Sequence, residues 1–192
     1  MAELARKIYR MIGLIFPILY FVYTKKVMLV IILISLIVLF LYEILRFGFP
    51  QLNKFYFKYL KTIAKKKEKK ALTGTTYLLA SFLLTVFLFE KNIAILAMTF
   101  SILGDAASSL IGKKFGKTKL IKKRTLEGSL GFFIISLIAG IVLINLGLKL
   151  KYPVIIIGAL AATLAELFSY KIDDNLTISL ISGLVMSLVV VF

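Results

Sequence analysis

The chain has 192 residues, of which 60% are hydrophobic, and it carries a formal net charge of +16 with no Cys and no His. Such apolar content places it among membrane proteins, and the missing residue types exclude a thiol nucleophile, disulfides, an imidazole base and the usual zinc ligands. The basic excess does not point to nucleic acid, because membrane topology accounts for it.

Apolar runs near residues 11–23, 27–45, 71–89, 92–111, 129–147, 153–170 and 176–192 each approach the roughly 20 residues that cross a bilayer as a helix. The expected fold is therefore all-α: a polytopic membrane helix bundle of about seven transmembrane helices. It forms one integral-membrane catalytic domain over residues 1–192, since no Pro-, Gly- or Ser-rich linker divides the chain. With a cytoplasmic N-terminus, twenty basic residues fall inside and five, Lys25, Lys26, Lys91, Lys149 and Lys151, fall outside. That is a strong positive-inside bias, and seven spans then leave the C-terminus external. Pro17 and Pro153 are tolerable within spans. Between the second and third runs, Phe55, Tyr56, Tyr59, Leu60 and Ile63 recur at offsets of three and four. This spacing predicts a helix on the inner membrane surface, followed by a lysine run that attracts anionic lipid headgroups.

The acidic residues Glu43, Asp105, Glu127, Glu166, Asp173 and Asp174 lie in or at the ends of apolar runs, on the predicted cytoplasmic side. An ionised carboxylate inside a span costs about 3 kcal/mol or more unless it is paired or metal-bound. A cell-membrane site facing the cytoplasm, holding a divalent cation and a polyphosphate, meets that requirement. Glu43 and Arg46, three residues apart, pair locally or reach across the bundle. Gly104-Asp105-Ala106-Ala107 permits close backbone approach, and Ser108 and Ser109 share the face of Asp105. A salt bridge from Asp105 to an arginine such as Arg46 is the competing structural role.

Next come Gly112, Gly116, Lys117, Lys119, Lys122, Lys123 and Arg124, glycines that allow a tight course around phosphate and cations that offset its charge. Residues 112–118 nearly imitate a P-loop. The glycines are one residue too close together, however, and the segment follows an apolar helix instead of a strand, which excludes a Walker-type fold. Thr125 is placed to cap the fifth span, and Glu127 either favours its positive end or helps hold a metal. Glu166 precedes Asp173-Asp174-Asn175, a carboxylate-rich turn suited to a metal ligand, a general base or a helix cap.

In order and spacing these features resemble the membrane lipid-alcohol kinases that use CTP, namely dolichol kinase, phytol kinase and the CTP-dependent diacylglycerol kinases, and more distantly the phosphatidate cytidylyltransferases. The resemblance rests on Glu43 through Arg46, Leu72-Thr73-Gly74-Thr75-Thr76-Tyr77, Gly104 through Ala107, Gly112 with Gly116-Lys117 and Lys119, Lys123 through Ser129, and Ala165-Glu166 with Asp173 through Thr177, covering about residues 40–182. Where the family usually has Lys-Thr before Glu-Gly, this chain has Arg124 in the basic place and Leu126 between Thr125 and Glu127. Arginine keeps the charge.

The resemblance implies transfer of the γ-phosphate of CTP to a membrane lipid alcohol, with Mg²⁺. The residues by themselves require only a cation and a polyphosphate. Asp105 is expected to hold Mg²⁺, helped by Glu127 or Asp173, while Lys117, Lys119, Lys123 and Arg124 hold phosphate oxygens. Ser108, Gly112, Gly116 and Thr125 border the nucleotide; Glu43, Arg46, Thr73, Tyr77 and Asn175 complete the motifs. The general base stays open among Asp105, Glu166 and Asp174. The resemblance favours an isoprenoid alcohol of the dolichol/polyprenol, phytol or geranylgeraniol type as acceptor, and the missing extra spans of long dolichol kinases weigh against dolichol itself. Diacylglycerol is the first alternative, followed by a cytidylyltransferase forming a CDP-lipid. A transporter ranks last, because the acids crowd one side and no inverted repeat is evident. CTP against ATP, and the oligomeric state, are not legible in the residues.

Overall fold

The computed structural model describes residues 6, 9–59, 68, 71–122, 124–169 and 173–191. Seven apolar helices occupy the seven predicted runs. A 3₁₀ turn, Ile12–Leu14, leads into α1 (Ile15–Val22), and Thr24 then caps α2 (Lys25–Gly48), its hydroxyl accepting from the Val27 amide. Pro50, pre-set for a first helical turn, opens the short α3 (Pro50–Tyr59). α4 (Gly74–Leu88), α5 (Lys91–Phe115), α6 (Leu126–Asn145), α7 (Tyr152–Phe168) and α8 (Asp174–Val191) follow. Of these, α2, α5 and α6 are long and apolar enough to cross a membrane by themselves, and the other four are shorter apolar helices. The predicted surface helix corresponds to α3; Leu60, Ile63 and the lysines of the run lie outside the described residues.

The helical body has one β addition that the all-α expectation did not contain. Between α5 and α6, β1 (Lys119–Ile121) pairs antiparallel with β2 (Arg124–Thr125), Lys119 opposite Thr125 and Ile121 opposite Arg124. The Leu126 amide donates to the Thr118 carbonyl at 2.9 Å and locks the ribbon to the start of α6. Its cause is geometric. Two helices in close contact bring the flanks of their connection together, and backbone groups that cannot be left unpaired then bond across it.

α5 is the axis of the bundle: 83% of its apolar window is buried, against 17% for α2. α5 packs most extensively on α6 and also touches α1, α4, α7 and α8. Small residues make this possible, because they let helix backbones approach where no hydrophobic effect separates helix from lipid. A Cβ on Gly104 would lie 2.4 Å from Phe132, and one on Gly128 would lie 2.9 Å from the Ser108 carbonyl. Residues Ile34, Ile37, Val38 and Leu41 of α2 face outward instead. α4 and α8 are joined by hydroxyls: Ser81 bonds Ser179, and Thr85 donates to Ser179 at 3.2 Å.

At the end opposite Asp105 and Glu43, lysines cap helix C-termini. Lys91 Nζ donates to the carbonyls of Phe21 and Tyr23 at 3.0 and 3.1 Å, and Lys25 Nζ to that of Phe89 at 3.2 Å. A cation at a helix C-terminus satisfies otherwise orphaned carbonyls and meets the negative end of the dipole. α6 ends in a Schellman motif, with Gly147 at φ +105° and the Leu148 amide donating to the Leu143 carbonyl at 2.9 Å.

Candidate functional site

The site begins at the end of α2, where Glu43 and Arg46 are both fully buried. The spacing of three residues places them on one helix face, and Arg46 Nη2 pairs with Glu43 Oε2. Arg46 also donates to the carbonyls of Glu68 and Ala71, at 2.8 and 3.1 Å. Glu43 Oε1 in turn accepts from the Thr73 amide at 2.9 Å and the Thr76 hydroxyl at 3.2 Å, while Glu68 Oε1 accepts from the Gly74 amide at 3.2 Å. Two carboxylates thus satisfy the first amides of α4, where the helix dipole favours negative charge. Tyr56 of α3 lies under the Arg46 guanidinium at 4.9 Å. Burial, with the Glu68 carboxylate nearby, raises its phenol above the ordinary value, so Tyr56 remains a neutral donor.

This anchor fixes Gly74 against the centre of the site. A Cβ there would meet Arg10 Nη2 at 2.9 Å and Asn175 Nδ2 at 3.6 Å. Arg10, one turn before the helical entry to α1, reaches across to α5 and donates to Asp105 Oδ2 at 2.8 Å. Asp105 is 5% exposed; a buried carboxylate needs such a partner. Asn175 closes the far wall: its amide side chain donates to the Gly74 carbonyl at 3.3 Å and to Asp173 Oδ1.

On the other flank Arg124 of β2 pairs with Glu166 of α7 and lies 3.7 Å from Asp174 at the start of α8. Ser108 donates to Glu166 Oε1 at 3.1 Å, and the buried Glu166 Oε2 has no hydrogen-bond partner among the described residues. Burial lowers the Arg124 pKa, an effect opposed by the charges of Asp174 and Asp105; a guanidinium stays ionised regardless. The basic ribbon extends outward from there, with Lys117 and Lys119 exposed.

The structure therefore gathers Asp105, Ser108, Arg124, Glu166, Asp174 and Asn175 into one polar region, with Glu43, Arg46 and Thr73 forming the anchor beside it. Tyr77 stands half-buried on α4. Asp105, Glu127 and Asp173 do not meet as one metal-ligand set: among the described residues no three such side chains converge. The reason is that Asp105 holds Arg10, Asp173 holds Asn175, and Glu127 turns away to accept from the Thr118 amide at 3.1 and 3.3 Å. Thr125 caps α6, accepting from the Gly128 amide at 3.2 Å. Gly112 and Gly116 lie against Thr125, where a Cβ would approach its hydroxyl to 3.0 and 2.8 Å. They serve helix–ribbon packing. Lys123 lies outside the described residues. The arginine that pairs Asp105 is Arg10, not Arg46.

No protein-family profile and no solved structure matches the chain. It is 33% identical over 185 residues to uncharacterized protein RP860 of Rickettsia prowazekii, covering 93% of this chain and 90% of that one. The chain belongs to the RP860 family. Beyond the RP860 family, it shows low-identity homology to CTP-dependent diacylglycerol kinases. It is 24% identical over 161 residues to CTP-dependent diacylglycerol kinase 1 of Schizosaccharomyces pombe, covering 77% of this chain and 74% of that enzyme. With the enzyme of the same name from Saccharomyces cerevisiae it shares 24% identity over 181 residues, 81% of this chain and 62% of the enzyme.

Two residues of the site were not singled out in the sequence. Arg10 was read as a topology charge, although an arginine beside the apolar run that begins at residue 11 is a signal. Glu68 is the one acid inside a lysine run, and that isolation is the clue.

Proposed function

We propose that this protein is a CTP-dependent lipid kinase that transfers the γ-phosphate of CTP to the hydroxyl of diacylglycerol. The carrying observation is Asp105, buried in the central helix, in a polar site shared with Arg10, Arg124 and Asp174 at the foot of a cationic ribbon. The similarity to CTP-dependent diacylglycerol kinases supports the donor, and it favours diacylglycerol over the isoprenoid alcohol preferred from sequence.

Phosphoryl transfer leaves a protein chiefly the tasks of positioning and charge stabilisation. Lys117, Lys119 and Arg124 bind and orient the triphosphate. Arg10 offsets charge beside the acceptor, and Asp105 or Asp174 takes the hydroxyl proton. The acceptor oxygen forms its bond to the γ-phosphorus as the bond to the β,γ-bridging oxygen breaks, releasing CDP. Mg²⁺ binds by one or two carboxylates together with substrate phosphates and keeps several waters. The residues fit that arrangement and not a preassembled cage: Asp105 and Asp174 would be offered to a metal that arrives on the nucleotide, which supplies charge neutralisation.

The test is purified protein in nanodiscs with Mg²⁺, γ-labelled CTP and equimolar dioleoylglycerol, phytol, geranylgeraniol and dolichol. Label in phosphatidate is expected. Label in a prenyl phosphate would overturn the acceptor; in a separate arm that supplies phosphatidate in place of the alcohols, a CDP-lipid with labelled pyrophosphate would overturn the kinase. A parallel arm with γ-labelled ATP tests the nucleotide.

A further inference from the structure

A cavity of about 180 Å³ opens beside Arg10. Its walls come from Arg6, Tyr9 and Arg10, from Leu39 and Tyr42 of α2, and from the segment that opens α4. Resting on the kinase reading above, we infer that this cavity is the acceptor subsite: it takes the glycerol end of diacylglycerol, with the acyl chains leaving along α2 into the bilayer.

Four observations carry this. First, the cavity and the narrow cleft at Asp105 share Arg10. Arg10, whose guanidinium lies 2.8 Å from the Asp105 carboxylate, thus borders both spaces. In that cleft the buried Ser101 hydroxyl has no hydrogen-bond partner among the described residues. Second, the charges lining the cavity balance, Arg6 and Arg10 against Glu43 and Glu68. A neutral polyol suits such a lining, whereas a triphosphate would meet two carboxylates; the exposed Lys117 and Lys119 are the better match for the nucleotide.

Third, the volume lies below the roughly 300–1,000 Å³ of pockets that enclose a whole small molecule. A headgroup fits and its tails must lie outside. Fourth, a route for the tails exists, because the wall formed by Leu39 and Tyr42 is continuous with the outward apolar face of α2, where Val38 and Leu41 are exposed. Tyr9, Tyr42 and Tyr56 around the opening have the apolar body and polar tip that suit a membrane–water boundary.

The chain has no cysteine, so Thr75→Cys puts a single reactive thiol on the cavity wall. In nanodiscs, dioctanoylglycerol at about ten times its apparent dissociation constant should slow maleimide labelling of that thiol about tenfold, and CTP alone should leave it unchanged. Leu39→Trp, narrowing the cavity, should raise the KM for dioctanoylglycerol and leave that for CTP unmoved. Turnover without protection, together with an unmoved lipid KM in Leu39→Trp, overturns the subsite. Protection by CTP instead of lipid overturns it too. Lipid protection in a protein that phosphorylates no lipid would keep the subsite and overturn the kinase reading.

Discussion

Arg46→Met tests the anchor beneath the site. Methionine keeps an unbranched, polarizable chain of comparable reach but removes the guanidinium that holds Glu43 and the carbonyls of Glu68 and Ala71. Glu43, fully buried, would keep its Thr73 and Thr76 bonds and lose its countercharge. Breaking one side of a buried pair costs about 3–5 kcal/mol, a large share of a total stability of about 5–15 kcal/mol. For a chain of this length that amounts to a midpoint lower by about 6–20 °C. The protein has no tryptophan, so the assay is the residual monodisperse peak on size exclusion after heating in detergent. The double variant Glu43→Gln/Arg46→Met removes the stranded charge and should recover more than half of the loss. A single variant within about 2 °C of the parent, or a double variant whose losses simply add, would refute the reasoning.

Asp105→Asn keeps size and hydrogen bonding but loses the charge that pairs Arg10; the thermal midpoint should fall, and turnover of the folded variant should fall about 10²–10⁴-fold, so parental turnover in a folded variant sinks the assignment. Lys117→Ala with Lys119→Ala should raise the KM for CTP and leave that for diacylglycerol, as initial-rate kinetics would report. Gly104→Ala drives a methyl group into Phe132 and should cost about 1–3 kcal/mol, measurable by the same thermal assay and relieved by Phe132→Leu. Single cysteines at Lys119 and Lys149 in sealed, oriented vesicles should label from opposite sides.

The seven apolar helices were legible because a run long enough to cross a bilayer is a property of contiguous sequence, as was the Glu43–Arg46 pair, whose spacing lies within one helix turn. What escaped depends on which distant elements meet. Arg10 and Asp105 are 95 positions apart, and nothing local to either states that α1 packs on α5. The ribbon escaped for a similar reason: its short strands carry no apolar alternation and are imposed by the helices that flank them. Gly112 and Gly116 were read toward phosphate, yet their lack of side chains makes room for Thr125 and, at Gly112, for Gly128. A glycine in a sequence announces close approach without naming what approaches. Glu127 was equally ambiguous, and the Thr118 amide, fixed by the ribbon, decides where it turns.

The burial of α5 has a consequence for how the protein is made. Its carboxylate would be poorly received by lipid as the helix leaves the insertion machinery, since an Asp near the middle of a lone helix costs about 3 kcal/mol. α2 enters readily and needs no neighbour. In chain order Arg10 precedes Asp105, whereas Arg124, α7 and α8 follow it. Arg10 is thus the pairing partner that the earlier part of the chain supplies to the acid of the central helix. The order of translation and the charge pairing of the finished site therefore obey the same constraint.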